Sequence, residues 1–131
     1  MKYNAPNPYT DYVPVIRYSE VLLNLAEARA RSTSSIDAQA VALLNAVRNR
    51  SDAATTFTAA NFTTYTDLVN AILTERRIEF LGEGMRNNDL MRLLQTIPAK
   101  GIAVQKAATD VGYIWPISSN ELNLNTLCTD N

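Results

Sequence analysis

At 131 residues the chain has the length of a single domain, enough to bury one core. Its 47% hydrophobic and 19% charged content is that of a globular chain, and a net charge of −1 excludes a general polyanion binder, so nucleic acid is not an expected partner. There is no histidine, and the only cysteine is Cys128, which removes Ser-His-Asp, Cys-His and His-rich zinc chemistry together with any intrachain disulfide. An enzyme on this chain would have to run on carboxylates.

The opening residues are polar and carry Pro6, Pro8 and Pro14, without a basic n-region and apolar h-region. No apolar run reaches the length of a membrane span. The reading here is an extended lead-in over 1–13, helices over 14–94 and an irregular strap over 95–131, all in one domain. The first helix is expected over about 14–31, with Pro14 in its first turn and an apolar stripe of Leu22, Leu25, Ala26, Ala28 and Ala30. Arg17 with Glu20 at i,i+3 and Glu27 with Arg31 at i,i+4 are spaced to pair on its flank. Ser32-Thr33-Ser34-Ser35 ends it. Asp37 is a fitting N-cap for a second helix to about Arg50, in which Ala40, Leu43, Leu44 and Val47 share a face. The two make a helical hairpin whose spacing partly matches the tetratricopeptide pattern.

Residues 51–66 are rich in Thr, Ala and Asn and read as a surface loop with a turn near 61–64. A long third helix is expected from Thr66 or Asp67 through Leu68, Ile72, Ile78 and Leu81 to Gly82 or Gly84, followed by a short helix over 89–94. Beyond Pro98, residues 101–106 and 113–115 are extended candidates, and 119–122 a single turn. The fold class is therefore mostly α: a tetratricopeptide-like hairpin, a long third helix and an irregular C-terminal strap over the helices.

Glu75, Glu79 and Glu83 lie at i, i+4 and i+8, a spacing that aligns three carboxylates on one helix face for acid/base work or a metal. The competing reading is a structural network, because like charges at i,i+4 destabilise a helix unless cations intervene, and Arg76, Arg77 and Arg86 are close in sequence. A Glu-x-x-His metal site would need a histidine this chain lacks, so no catalytic, metal or cofactor residue is assigned. Gly82 and Gly84 point to a left-handed cap or a close approach of another segment; without a preceding strand and a following lysine they do not form a phosphate cradle. Trp115, with Tyr113 beside it, is a candidate platform for a sugar ring, weighed against packing on the helices. Tyr3, Tyr9, Tyr12 and Tyr18 are open to the same two readings.

Four blocks carry a family resemblance. Glu75-Arg76-Arg77-Ile78-Glu79-Phe80-Leu81-Gly82-Glu83-Gly84-Met85-Arg86-Asn87-Asn88-Asp89-Leu90-Met91-Arg92 resembles an E-R-R-I-E-hydrophobic-x-x-E-G-x-R-x-x-D-L-x-R signature. Upstream, Arg17-Tyr18-Ser19-Glu20-Val21-Leu22-Leu23-Asn24-Leu25-Ala26-Glu27-Ala28 is similar to an R-Y-A-E-V-L-L-x-x-A-E-A helix, and Leu44-Asn45-Ala46-Val47-Arg48-Asn49-Arg50 to an L-N-x-V-R-x-R helix end. Downstream, residues 113–122 resemble a closing hydrophobic-W-P-I-P-x-x-E-hydrophobic segment. The family is the SusD/RagB-like group of outer-membrane nutrient-binding lipoproteins. Asn87 and Asn88 depart from it, since many members carry aromatics there.

The resemblance implies a non-catalytic, surface-exposed outer-membrane lipoprotein that captures an oligosaccharide or glycan and works with a TonB-dependent, SusC-like transporter. It implies that this sequence is the C-terminal scaffold part of a longer protein, and that the glycan site is built largely from other segments. Arg17, Glu20, Glu27, Arg48, Arg50, Glu75, Arg76, Arg77, Glu79, Glu83, Arg86, Asp89 and Arg92 are then structural signature residues. Two readings from other classes stand beside it: a free-standing tetratricopeptide-like interaction module, and a hydrolase using Glu75 and Glu79.

Overall fold

A computed structural model describes residues 15–129; the expectations for the proline-containing lead-in, Pro14 and the tyrosines at 3, 9 and 12 lie outside them. The order is α1 (Tyr18–Thr33), α2 (Ala38–Ser51), a 3-10 turn (Ala59–Asn61), α3 (Tyr65–Glu79), α4 (Met85–Arg92) and α5 (Ser119–Leu124). No strand forms among the described residues; 97–106 makes only two isolated bridges. The chain is mostly α, as its periodicity implies, and divides into two units at Glu79 and Phe80.

In the first unit α1 and α2 form the hairpin, and α1 packs against both α2 and α3, which touch each other less. The join between α1 and α2 is short because both helix ends are closed locally. Ser34 adopts a left-handed conformation after α1. Asp37 caps α2 by accepting from the Ala40 amide at 2.7 Å, while Arg29 grips the same carboxylate at 2.9 and 3.0 Å. The Arg29 and Ala40 bonds hold the Asp37 pKa below its ordinary value.

The buried face of α1 differs from the expected stripe. Leu23, Ala26 and Ala30 are buried, whereas Leu25 is 44% exposed and Leu22 half-buried. The consecutive apolar residues Val21, Leu22 and Leu23, then Leu25 and Ala26, do not single out a face by pattern alone; what fits here is a row of small side chains. Ala26 and Ala30 on α1 and Ala40 on α2 are each fully buried, leaving room for Leu23, Leu44, Leu68 and Ile72 to fill the centre. On α2, Val41 takes the buried place expected of Leu43, which is half-buried.

The third helix starts with a reciprocal cap. Asp67 accepts from the Thr63 and Thr64 amides at 3.1 and 2.7 Å, and its own amide donates to the Thr64 hydroxyl at 3.2 Å. It ends at Glu79, earlier than expected, so Ile78 (52% exposed) and Leu81 (75%) do not extend the core stripe. The loop before it is pinned to α2. The Asn45 amide donates to the Phe57 carbonyl at 2.7 Å and accepts from the Phe57 N–H at 2.8 Å, pairing with the backbone as a strand would. Phe57 in turn meets the buried Phe62, with ring centroids 5.7 Å apart.

The second unit, described over 80–129, is built from turns. Glu83 donates its amide to the Phe80 carbonyl at 3.0 Å, and Gly82 and Gly84 both have positive φ, 81° and 77°. A Cβ at either would meet nothing within 4 Å, so the backbone conformation, not a close approach, is what asks for glycine. The helix expected over 89–94 begins earlier, at Met85, because Gly84 restarts the chain. It closes in a Schellman arrangement: Leu94 N–H to Met91 O at 3.1 Å and Gln95 N–H to Leu90 O at 2.9 Å, with Leu94 itself at φ 50°. Lys100 and Ala103 exchange two 3.0 Å backbone bonds around Gly101 at φ 60°, a two-residue reversal in place of the expected extended stretch. Ser118 caps α5 by accepting from the Glu121 amide at 3.2 Å.

Candidate functional site

Five charged signature residues of the first unit, Arg17, Arg48, Arg50, Glu75 and Glu79, gather at one end of it, where α1 begins and α2 and α3 finish. Glu79 is the hub. Arg17 Nη1 reaches its Oε1 at 2.7 Å and Arg17 Nη2 the Glu79 carbonyl at 3.0 Å, while Arg50 Nη2 reaches the same Oε1 at 2.5 Å. One turn back on α3, Glu75 Oε2 lies 3.4 Å from Arg48 Nη1, and Arg48 Nη2 lies 3.4 Å from Asp52. The cations that reach Glu75 and Glu79 thus come from the start of α1 and the end of α2. Arg17 reaches across to Glu79 and leaves Glu20, the partner expected of it. Cations in the last turn of α2 also face the negative end of its helix dipole.

Environment separates the two carboxylates. Burial would raise Glu79, but the hydrogen bonds from Arg50 and Arg17 outweigh it and hold its pKa below the ordinary value. Burial dominates at Glu75 and lifts its pKa; Arg48 opposes the rise and the Glu79 charge adds to it. Glu75 is 5% exposed and the Glu79 side chain 7%, so neither offers an oxygen to a substrate in solution. Glu83 falls beyond the end of α3, so the three-carboxylate face is cut to two. The geometry is a polar clamp between helices, and its chemistry is the fixing of three chain segments.

Other signature residues hold the same frame. Glu27, 5% exposed, receives Arg31 at 2.8 Å, the i,i+4 pair its spacing implies. Arg76, also buried, donates from Nη1 to the Asn24 side chain on α1. Arg77 is exposed and Glu20 half-buried. Asn24 and Asn45 were overlooked as site residues although both stand inside the signature blocks. Both make side-chain hydrogen bonds to distant segments, Asn24 with Arg76 and Asn45 with Phe57, which spacing along one helix does not reveal.

In the second unit Asp89, buried on α4, binds Arg92 at 2.9 Å, and Arg86 is exposed. Glu83 is half-buried. Tyr113 is 3% exposed and its hydroxyl donates toward the Gln95 carbonyl at 2.8 Å and the Leu90 carbonyl at 3.2 Å. Its ring and its polar tip are therefore both engaged with the end of α4. Trp115 is 82% exposed, with Ile114 beside it at 58%. Among the described residues no group of His, Cys, Asp and Glu side chains is placed to hold a metal, and no helix is long and apolar enough to cross a membrane.

Comparisons with curated proteins and with solved structures gave no match. The model of the SusD family matches residues 2–131, which takes in all four signature blocks and the whole Arg–Glu clamp, and the chain belongs to the SusD family.

Proposed function

We propose that this chain is the C-terminal scaffold part of a surface glycan-capturing protein that hands its cargo to a TonB-dependent, SusC-like transporter of the outer membrane. Membership in the SusD family, in general non-catalytic binding proteins of nutrient uptake, is the observation that carries the reading. The clamp agrees with it. Glu75 and Glu79 are enclosed and cation-bound, which suits a frame and not a hydrolase. Capture by such a protein rests on shape and stacking, with no bond made or broken.

Of the two aromatic candidates in the closing block, Trp115 is 82% exposed and Tyr113 is occupied by its carbonyl partners. The family resemblance implies a glycan site built largely from other segments, so the chain alone is expected to bind glycans weakly or not at all. The test is co-purification with the transporter encoded alongside it, together with calorimetry against a glycan panel. Recovery of the transporter with no saturable glycan heat supports the reading. Recovery of an unrelated partner in its place would favour the free-standing interaction module.

A further inference from the structure

Residues 97–106 form a finger on the second unit. Ile97 and Lys106 exchange two backbone hydrogen bonds at its base, 2.8 and 2.9 Å, and Lys100 and Ala103 exchange two more near its tip, both 3.0 Å. Ile97 and Lys106 are half-buried, and every residue between them is exposed. Gly101 takes the positive φ that the reversal needs, so the backbone makes no demand on position 102, where a polar residue would serve. Isoleucine stands there instead, fully exposed, with Val104 exposed after it. Pro98, Ala99 and Ala103 make up most of the rest, so the finger presents an apolar end that packs on no core.

Charge gives a second, independent observation. The stretch 90–109 contains no Asp or Glu, and the finger carries Lys100 and Lys106. Apart from Lys2 these are the only lysines of the chain. The other cations are arginines, most of them bound to carboxylates. Among the described residues Lys100 makes no ion pair. Lys106 donates to the Val111 carbonyl at 2.7 Å, a neutral partner that leaves its charge uncancelled. Asp110, the acid that follows, turns to the Ala107 amide at 2.7 Å and pairs with neither lysine.

We propose that the finger is a wedge for an anionic lipid surface: Ile102 and Val104 enter the boundary between head groups and acyl chains, and the Lys100 and Lys106 ammonium groups meet the lipid phosphates. Lysine suits this role better than a protein interface, where it is depleted in favour of arginine and aromatic residues. Its stem lies along apolar surface while its ammonium stays among the head groups. The four backbone bonds matter as well, since a peptide group carried toward hydrocarbon must bring its own partner, and Pro98 has no N–H to satisfy. The inference rests on the finger alone and not on the glycan-uptake reading.

To test it, the full 131-residue chain is sedimented with vesicles of phosphatidylcholine alone and of phosphatidylcholine with phosphatidylglycerol in equal parts. Reversible binding to the anionic vesicles is expected, at least about tenfold weaker on the neutral ones and weakened by salt. Ile102→Asn sets a turn-favouring residue at an exposed position, so the melting temperature should hold while vesicle affinity falls at least about fivefold. Lys100→Gln should cost about fivefold on anionic vesicles and nothing on neutral ones. In Ile102→Trp the added emission should shift to the blue on the anionic vesicles, which reads position 102 itself. Failure of the parent chain to bind anionic vesicles, equal binding by Ile102→Asn, or an unshifted emission from Ile102→Trp would each overturn the proposal. So would self-association of the parent chain that Ile102→Asn abolishes, which would assign the finger to a second copy.

Discussion

The two units are held by different physics. The first buries residues from three helices around Leu23, Leu44, Leu68 and Ile72, and ties the helix ends with ion pairs across long stretches of sequence. The second buries Phe80, Asp89, Leu90 and Tyr113, and leaves Ile102, Val104, Val111, Leu124 and Leu127 at 71% exposure or more. Its order comes from short-range backbone bonds: a Schellman closure, a two-residue reversal and a capped turn of helix. A region with little buried apolar area and many local hydrogen bonds opens at lower free energy than a packed helical core. The comparison teaches that one chain of 131 residues need not have one stability.

The largest expected effect lies in the first core. Leu44→Ala, at a fully buried position, should cost about 2–5 kcal/mol in urea unfolding followed by far-UV circular dichroism. Trp115 is the only tryptophan and belongs to the second unit, so its fluorescence reports that unit in the same titration. The single-domain reading from sequence predicts coincident transitions for both probes, and separated midpoints would break it.

Next come the clamp carboxylates. Glu79→Gln removes the negative charge shared by Arg17 and Arg50 and should cost about 1–2 kcal/mol, less than a fully buried pair because Arg50 is largely exposed. Glu75→Gln should cost less, since burial already favours the neutral form there. A larger loss at Glu75 would show the assignment of the hub to be reversed.

The pH dependence follows with opposite signs. Glu79 has a lowered folded pKa, so its contribution is present above its ordinary value of 4.5 and is lost as pH falls through the folded value. Asp37, Asp52 and Asp67 act in the same direction below their ordinary 3.8. Glu75 is raised, so its contribution is present below 4.5 and lost as pH rises through its folded value. Melting temperatures from pH 3 to pH 7 should therefore fall toward acid less steeply in Glu79→Gln than in the parent chain. The smallest effect is at Leu94, exposed at φ 50°: Leu94→Gly should stabilise the second unit by about 0.5–1 kcal/mol, read by Trp115 fluorescence.

Much of the helical frame was legible in the sequence because helix formation is local. Asp37 announced α2, the start of α3 was placed within two residues of Tyr65, and the period of Ala40, Leu44 and Val47 marked a buried face. The face of α1 was not legible, since which of its many apolar residues points inward depends on how closely its neighbours approach. The break after Glu79 was hidden for a related reason: Ile78 and Leu81 continue a helical period that Gly82 and Gly84 interrupt. For the clamp, the residues were recognisable from their blocks but their partners were not. Sequence spacing offers partners three or four positions away, whereas Arg17 and Glu79 are 62 apart and Arg50 and Glu79 are 29 apart.

That separation has a kinetic consequence. A bond between the first turn of α1 and the last of α3 needs both helices in place, and α2 between them to deliver Arg50, before it gains anything over solvated charges. It is therefore expected to form late in folding, after the apolar core has gathered. Contacts absent from the transition state act on the rate of escape from the native state. Glu79 therefore works as a latch: its loss is expected to quicken unfolding while leaving refolding nearly as fast as before, so what the clamp chiefly confers is persistence.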